Sequence, residues 1–248
     1  MISAIPSPAL YEADMSDFKL AIIDFFIFRN DTSRMKTSNK FTLFRVIVAP
    51  IFFIIYFLPD WISSPDGSVV SIASFCMLVP LLIVAELTDY WDGHFARKHN
   101  EVSDFGKMFD PFADVFLHLS VFTCFVFSGY MPAVCFVLIL YREFSQNFLR
   151  MIAAKQGTAI AARKGGKFKT VFYVVSCFVA LAIEGFVRTG IADCLVSHGI
   201  LQNESLDSLL VVLHRVSLGF FVFCVVFSYA SFLDYVKNFG SVFKDASK

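Results

Sequence analysis

The sequence predicts an all-α fold: an integral membrane bundle of about six transmembrane helices, with an N-terminal helix lying in the membrane interface. Three observations predict it. Hydrophobic residues make up 57% of the chain, and Phe alone supplies 32 of 248 residues; soluble domains run nearer 45–50% on a comparable count. The apolar residues are concentrated in six segments long enough to cross a hydrocarbon core of ~30 Å, allowing for polar ends. The basic residues gather in alternate connections, as the positive-inside rule requires of a multi-pass chain.

Taken in order, residues 1–37 form a first segment, ahead of a membrane domain at 38–248. Within residues 16–36, the run from Phe18 to Phe28 is apolar but too short to span. Asp17 and Lys19 stand at its start, Arg29 and Asp31 at its end, and Asp24 interrupts it. No basic segment precedes it and no small-residue cleavage site follows, so it reads as a helix in the headgroup plane rather than a signal peptide. The spans follow at 42–58, 69–88, 109–129, 131–152, 169–188 and 209–235, with short connections. Lys19, Arg29, Arg34, Lys36 and Lys40 precede the first span. Arg97, Lys98 and Lys107 lie in the second connection, and Lys155, Arg163, Lys164, Lys167 and Lys169 in the fourth. Lys237, Lys244 and Lys248 close the chain, whereas the other side holds only Arg188 and Arg215. Both termini and the second connection are therefore expected in the cytoplasm.

That second connection carries the chemistry. Asp89, Asp92, Asp110 and Asp114 flank it, at the junction of two apolar runs. Asp89 and Asp92 are i,i+3, and Asp110 and Asp114 are i,i+4, so each pair projects from one helix face. Four carboxylates at a membrane surface are costly unless they bind something. Two facing pairs make an oxygen-rich pocket suited to a hard divalent cation such as Mg²⁺. Gly93, beside the second Asp, lets a ligand approach the backbone closely.

The whole segment resembles the signature of the CDP-alcohol phosphatidyltransferases, D-x2-D-G-x2-A-R-x8-G-x3-D-x3-D. Asp89, Asp92, Gly93, Ala96, Arg97, Gly106, Asp110 and Asp114 fill every fixed position. The resemblance implies attack by an acceptor hydroxyl on the lipid-side phosphorus of a CDP-linked donor, with CMP leaving. It implies Mg²⁺ or Mn²⁺, two ions, held by Asp89, Asp92, Asp110 and Asp114. Asp114 would also be the general base, and the CDP moiety would lie against Asp89, Asp92, Gly93, Ala96, Arg97 and Gly106. A homodimer is common in the family. Glu86 is one turn before Asp89 and reads either as an outer partner of the pocket or as half of a salt bridge. His118, one turn after Asp114, reads first as a packing residue on an apolar helix.

Two further blocks bear on the acceptor. Asn39, Thr42 and Arg45, with Pro50 following, resemble the N-x-L-T-x-x-R entry to the first transmembrane helix of bacterial phosphatidylglycerophosphate synthases. Ser38 and Phe41 stand where those enzymes usually have Pro and Leu. Arg142-Glu143, Leu149-Arg150, Gly157, Ala161-Ala162, Gly166-Lys167 and Lys169-Thr170 follow the same enzymes' R-E-x5-L-R, G-x3-A-A and G-K-x-K-T. The resemblance implies CDP-diacylglycerol as donor and glycerol 3-phosphate as acceptor, at the cytoplasmic face of a bacterial inner membrane. Arg142, Arg150 and Lys167 are the candidate ligands of the acceptor's phosphate, with Lys169 beside them. An Arg142–Glu143 structural network with ordinary positive-inside lysines is the other reading. Inositol phosphate, serine or choline are alternative acceptors for the same chemistry.

Other classes fit less well. Net charge is zero, so no global field argues for nucleic acid. A divalent-cation transporter would place its carboxylates near the midplane rather than at one face, and has no use for the Gly-x2-Ala-Arg element. The six cysteines are far apart, with no metal-ligand spacing, and read as packing residues.

Overall fold

The computed structural model describes residues 37–98, 104–155 and 164–246. Seven helices and no strand occur among them: α1 Thr37–Trp61, α2 Val69–Lys98, α3 Asp104–Phe127, α4 Ala133–Lys155, α5 Lys164–Arg188, α6 Ile191–Ser197 and α7 Asn203–Ala246. The expected interfacial helix within 16–36 lies outside the described residues.

Five helices are long and apolar enough to cross a membrane: 39–61 of α1, 69–89 of α2, 108–127 of α3, 168–188 of α5 and 203–237 of α7. The chain is thus a multi-pass membrane protein. The expected span at 131–152 is a helix, α4, of 23 residues, or about 34 Å at ~1.5 Å per residue. It falls short on composition because Arg142, Glu143 and Arg150 interrupt it. Two of these charges are turned inward: Arg142 is 2% and Glu143 3% exposed. α7 runs past the expected 209–235 at both ends, and the seven-residue α6 was not expected.

The helices pack as two groups. α1 lies against α2 and α3, while α4 and α5 lie against α7; α3 with α4 and α5, and α2 with α5, join the groups. Phe52, Tyr56, Leu78, Leu82, Phe122, Phe125, Ile139 and Phe221 fill the seam. Phe122 meets Phe221 edge-on at 5.4 Å and Tyr173 at 5.2 Å. Lipid tails are as apolar as these side chains, so packing and interhelical hydrogen bonds do more than hydrophobicity to hold such a bundle. Serine hydroxyls supply several: Ser74 to the Ile55 carbonyl (2.6 Å), Ser120 to that of Ala49 (2.9 Å) and Ser217 to that of Tyr130 (3.0 Å). Each is worth about 0.6 kcal/mol on average in such a setting.

One end is closed by short turns. Arg188 pairs with Glu184, donates to the Tyr56 carbonyl at 2.6 Å and sits over the Tyr56 ring. Gly67 N–H donates to the Arg188 carbonyl, and Gly190 packs against Gly67 so closely that a Cβ on Gly190 would lie 2.9 Å from the Gly67 Cα. Gly190 also has φ 73°, which disfavours any side chain. The opposite end holds the aspartate motif.

Candidate active site

α2 continues without a break from the apolar run through Lys98, so Asp89, Asp92, Gly93, Ala96 and Arg97 share one helix and the i,i+3 register of Asp89 and Asp92 holds. Asp110 and Asp114 share α3 in i,i+4 register, with Gly106 buried in its first turns. The side chains of Asp92, Arg97 and Lys167, with positions Gly93 and Ala96, lie outside the described ones.

α1 ties the two motif helices together. Arg45, 1% exposed, places Nη1 2.5 Å from Asp89 Oδ1. One turn earlier, Thr42 donates its hydroxyl to Asp110 Oδ1 at 2.5 Å. The Asn39–Arg45 block therefore has a physical role that its spacing did not reveal: it aims a carboxylate from each neighbouring helix. Half of the Asp89 side chain is still exposed at the mouth of the site.

Deeper in, His118 is 3% exposed and stands between two carboxyl groups. Its Nδ1 is 2.9 Å from the Asp114 carbonyl oxygen and 3.3 Å from Asp114 Oδ1; its Nε2 is 3.4 Å from Glu86 Oε1. Neither Nε2 nor Glu86 Oε1 makes a hydrogen bond among the described residues, so their 3.4 Å approach is an electrostatic contact and not a hydrogen bond. A buried polar atom without a hydrogen bond costs about 1–3 kcal/mol, and the attraction between the carboxylate and the imidazole at 3.4 Å offsets part of it. Both alternatives left open for Glu86 and His118 in the sequence are thereby narrowed: Glu86 approaches a histidine rather than an arginine, and His118 does more than pack.

Behind Asp114 lies a second polar cluster, at the junction of α4, α5 and α7. Glu143 Oε1 accepts from Arg142 Nη1 (2.8 Å), Lys169 Nζ (2.7 Å) and the Tyr173 hydroxyl (2.9 Å). Arg142 Nε donates to the Ser228 carbonyl at 3.0 Å, and Tyr173 meets the Ser228 hydroxyl at 2.9 Å. The Tyr173 ring lies 5.6 Å from His118, so the cluster adjoins the Glu86–His118–Asp114 row. Arg150 lies about two turns farther along α4. Of the candidate phosphate ligands, Arg142 is thus committed to Glu143 and Ser228, in the network that the alternative reading describes, and Lys169 joins it. Tyr173 and Ser228 had no signal in the sequence beyond lying in apolar helices.

The donor set suits a divalent metal. Asp89, Asp110 and Asp114 are hard oxygen donors on facing helices, the class that Mg²⁺ takes. Thr42 and Arg45 hold two of them as outer-shell groups hold metal ligands. Among the described residues no three Asp, Glu, His or Cys side chains already close on a single point; Asp92 is not among the side chains described.

These features define the class. The profile of the CDP-alcohol phosphatidyltransferases matches residues 35–202, and the chain belongs to that family. It is therefore a membrane enzyme of phosphatidyl transfer. Among its relatives, the CDP-diacylglycerol–glycerol-3-phosphate 3-phosphatidyltransferase of Treponema pallidum is 34% identical over 215 residues, covering 85% of this chain and 92% of that protein. The protein of the same name from Bacillus subtilis is 38% identical over 56% of this chain and 72% of its own length. That of Mycoplasma genitalium is 28% identical over 64% and 70%.

Proposed function

We propose that this enzyme transfers the phosphatidyl group of CDP-diacylglycerol to glycerol 3-phosphate, giving phosphatidylglycerol phosphate and CMP in phospholipid biosynthesis. The observation that carries the reading is the meeting of α1, α2 and α3 at one membrane end, where Arg45 and Thr42 aim Asp89 and Asp110 beside Asp114. The shared name of the relatives supports the choice of acceptor.

The mechanism follows from these groups. Asp89, Asp92, Asp110 and Asp114 would hold two divalent ions, Mg²⁺ or Mn²⁺, which when bound neutralise the diphosphate and stabilise the leaving CMP. By resemblance to the family, Gly93, Ala96 and Gly106 would leave room for the CDP moiety, and Arg97 would offer the planar fork that suits phosphate. Asp114 takes the proton of the acceptor hydroxyl as its oxygen bonds to the lipid-side phosphorus and the phosphoanhydride P–O bond breaks. Arg150 and Lys167 contact the acceptor's phosphate. Arg142 and Lys169 are two buried cations against the single buried carboxylate of Glu143. The charge left over faces the Asp114 carboxylate and is offset by it, so the preference for a phosphorylated acceptor rests on Arg150 and Lys167.

The membrane domain is residues 38–248, with the site at the cytoplasmic face of a bacterial inner membrane and both termini on that side; the Lys and Arg distribution supports this orientation. A homodimer is part of the proposal, by resemblance to the family, and crosslinking in membranes tests it. The reaction is tested with purified protein in detergent, radiolabelled CDP-diacylglycerol, and each acceptor offered separately. Phosphatidylglycerol phosphate from glycerol 3-phosphate alone is expected. Transfer to inositol phosphate, serine or choline instead would overturn the acceptor.

A further inference from the structure

The row Glu86–His118–Asp114 has no counterpart in the chemistry derived so far, which uses only its last member. Its geometry is specific. His118 Nδ1 faces two oxygens of one residue, the Asp114 carbonyl at 2.9 Å and Oδ1 at 3.3 Å. Both are acceptors, so Nδ1 must carry a hydrogen. The other ring nitrogen, Nε2, faces Glu86 Oε1 at 3.4 Å, an electrostatic contact across which neither atom forms a hydrogen bond to any described residue. The ring cannot turn over easily. It is 3% exposed, with Tyr173 and Phe122 at 5.6 and 6.1 Å between centroids. Three helices contribute, since Glu86 lies on α2, His118 and Asp114 on α3 and Tyr173 on α5.

We propose that His118, held in register by Glu86, is the positioning residue for Asp114. Its Nδ1–H fixes one carboxylate oxygen against the helix, so that the other is the oxygen presented to the acceptor hydroxyl. Glu86 acts one step further back and sets which nitrogen of the imidazole faces Asp114. The proposal rests on the reading of Asp114 as the base. It adds that the base is held by a dedicated pair rather than by the metal ligands alone.

Side-chain amides separate the two ring nitrogens. In His118→Asn the amide nitrogen falls near the Nδ1 position and retains the contact with Asp114. In His118→Gln it falls near Nε2 and retains the contact with Glu86. The purified variants are assayed for kcat and for both KM values, per folded protein as judged by gel filtration and thermal melting. His118→Gln is expected to lose about ten- to a hundredfold in kcat, the usual cost of removing an orienting partner, with KM for CDP-diacylglycerol little changed. His118→Asn should recover a large part of that loss. Glu86→Gln should lower kcat in the otherwise native enzyme and have little further effect in the His118→Gln background, because the two act in series. This cycle can be read even if one histidine variant folds poorly, by using whichever of the two survives.

Equal kcat for His118→Asn and His118→Gln would overturn the proposal and return His118 to packing, as would additive losses in the cycle. Asp114→Asn is measured alongside. Substantial turnover by it would remove the parent reading. An inactive Asp114→Asn with unaffected histidine variants would remove the positioning role alone.

Discussion

Replacing Glu143 with Gln keeps the shape of the side chain and removes one charge from the α4–α5–α7 junction. In the native protein a single oxygen of Glu143 answers Arg142, Lys169 and Tyr173, at 2.7–2.9 Å. The ionic partners are 1%, 9% and 4% exposed for Arg142, Lys169 and Glu143, so water cannot take over. Removing one partner of a buried ion pair costs about 3–5 kcal/mol, because the remaining charge is left uncompensated. For a chain of this size about 1 kcal/mol moves Tm by roughly 2–4 °C, so a fall on the order of 6–20 °C is expected for Glu143→Gln. Lys169→Met in the same chain takes away one of the two stranded cations. The double variant should therefore melt above Glu143→Gln, with coupling of about 0.5–3 kcal/mol, the range for residues in one network. The assay is thermal unfolding in a mild detergent, followed by circular dichroism at one scan rate. A Glu143→Gln protein that melts within about 2 °C of the native one would refute the claim that this cluster holds the three helices together. So would a double variant whose loss equals the sum of the single losses.

Four other outcomes are expected. Asp92→Asn should abolish most activity while the protein still elutes as a folded species, and excess EDTA should do the same to the native enzyme; near-normal turnover in either case removes the metal assignment. Arg150→Ala and Lys167→Ala should raise KM for glycerol 3-phosphate by about one to two decades, from ~1.5–3 kcal/mol per charge-assisted contact, and leave that for CDP-diacylglycerol nearly unchanged; equal effects on both substrates would count against acceptor binding. Gly190→Ala should lower Tm more than Gly199→Ala, because both have positive φ but only the former brings a Cβ to 2.9 Å from another backbone; matching losses would show that the contact with Gly67 is unimportant. Cysteines at Lys98 and Arg163 should label from the cytoplasmic side of vesicles and cysteines at Asp66 and Asn203 from the other; labelling of 98 and 163 from opposite faces breaks the proposed topology.

Most of the helical architecture is legible in the sequence because a bilayer imposes a length and an apolar composition on anything that crosses it. Composition misleads where charge is buried or the helix leaves the membrane. α4 contains Arg142, Glu143 and Arg150 and so departs from an apolar span, yet two of these charges face protein. α7 continues to Ala246 through a polar stretch that resembles a tail. The carboxylates of the candidate site are legible as two helical pairs, since their spacing is local. What holds them is not. Arg45 meets Asp89 across 44 positions and Thr42 meets Asp110 across 68, and no periodicity encodes such separations. The same is true of Lys169 and Tyr173, which reach Glu143 from another helix. Spacing names the charges; only packing names their partners.

The family profile ends at residue 202, but the polar cluster does not. Ser228, on α7 and 26 positions past that boundary, receives Arg142 and meets Tyr173. The recognisable segment and the working unit therefore have different boundaries. A chain cut at that profile boundary would keep every residue of the aspartate signature and lose the α7 side of the polar cluster beside it. For chimeras, split versions or minimal fragments of this enzyme, the junction belongs beyond Ser228, and α7 has to travel with α4 and α5 as a single module.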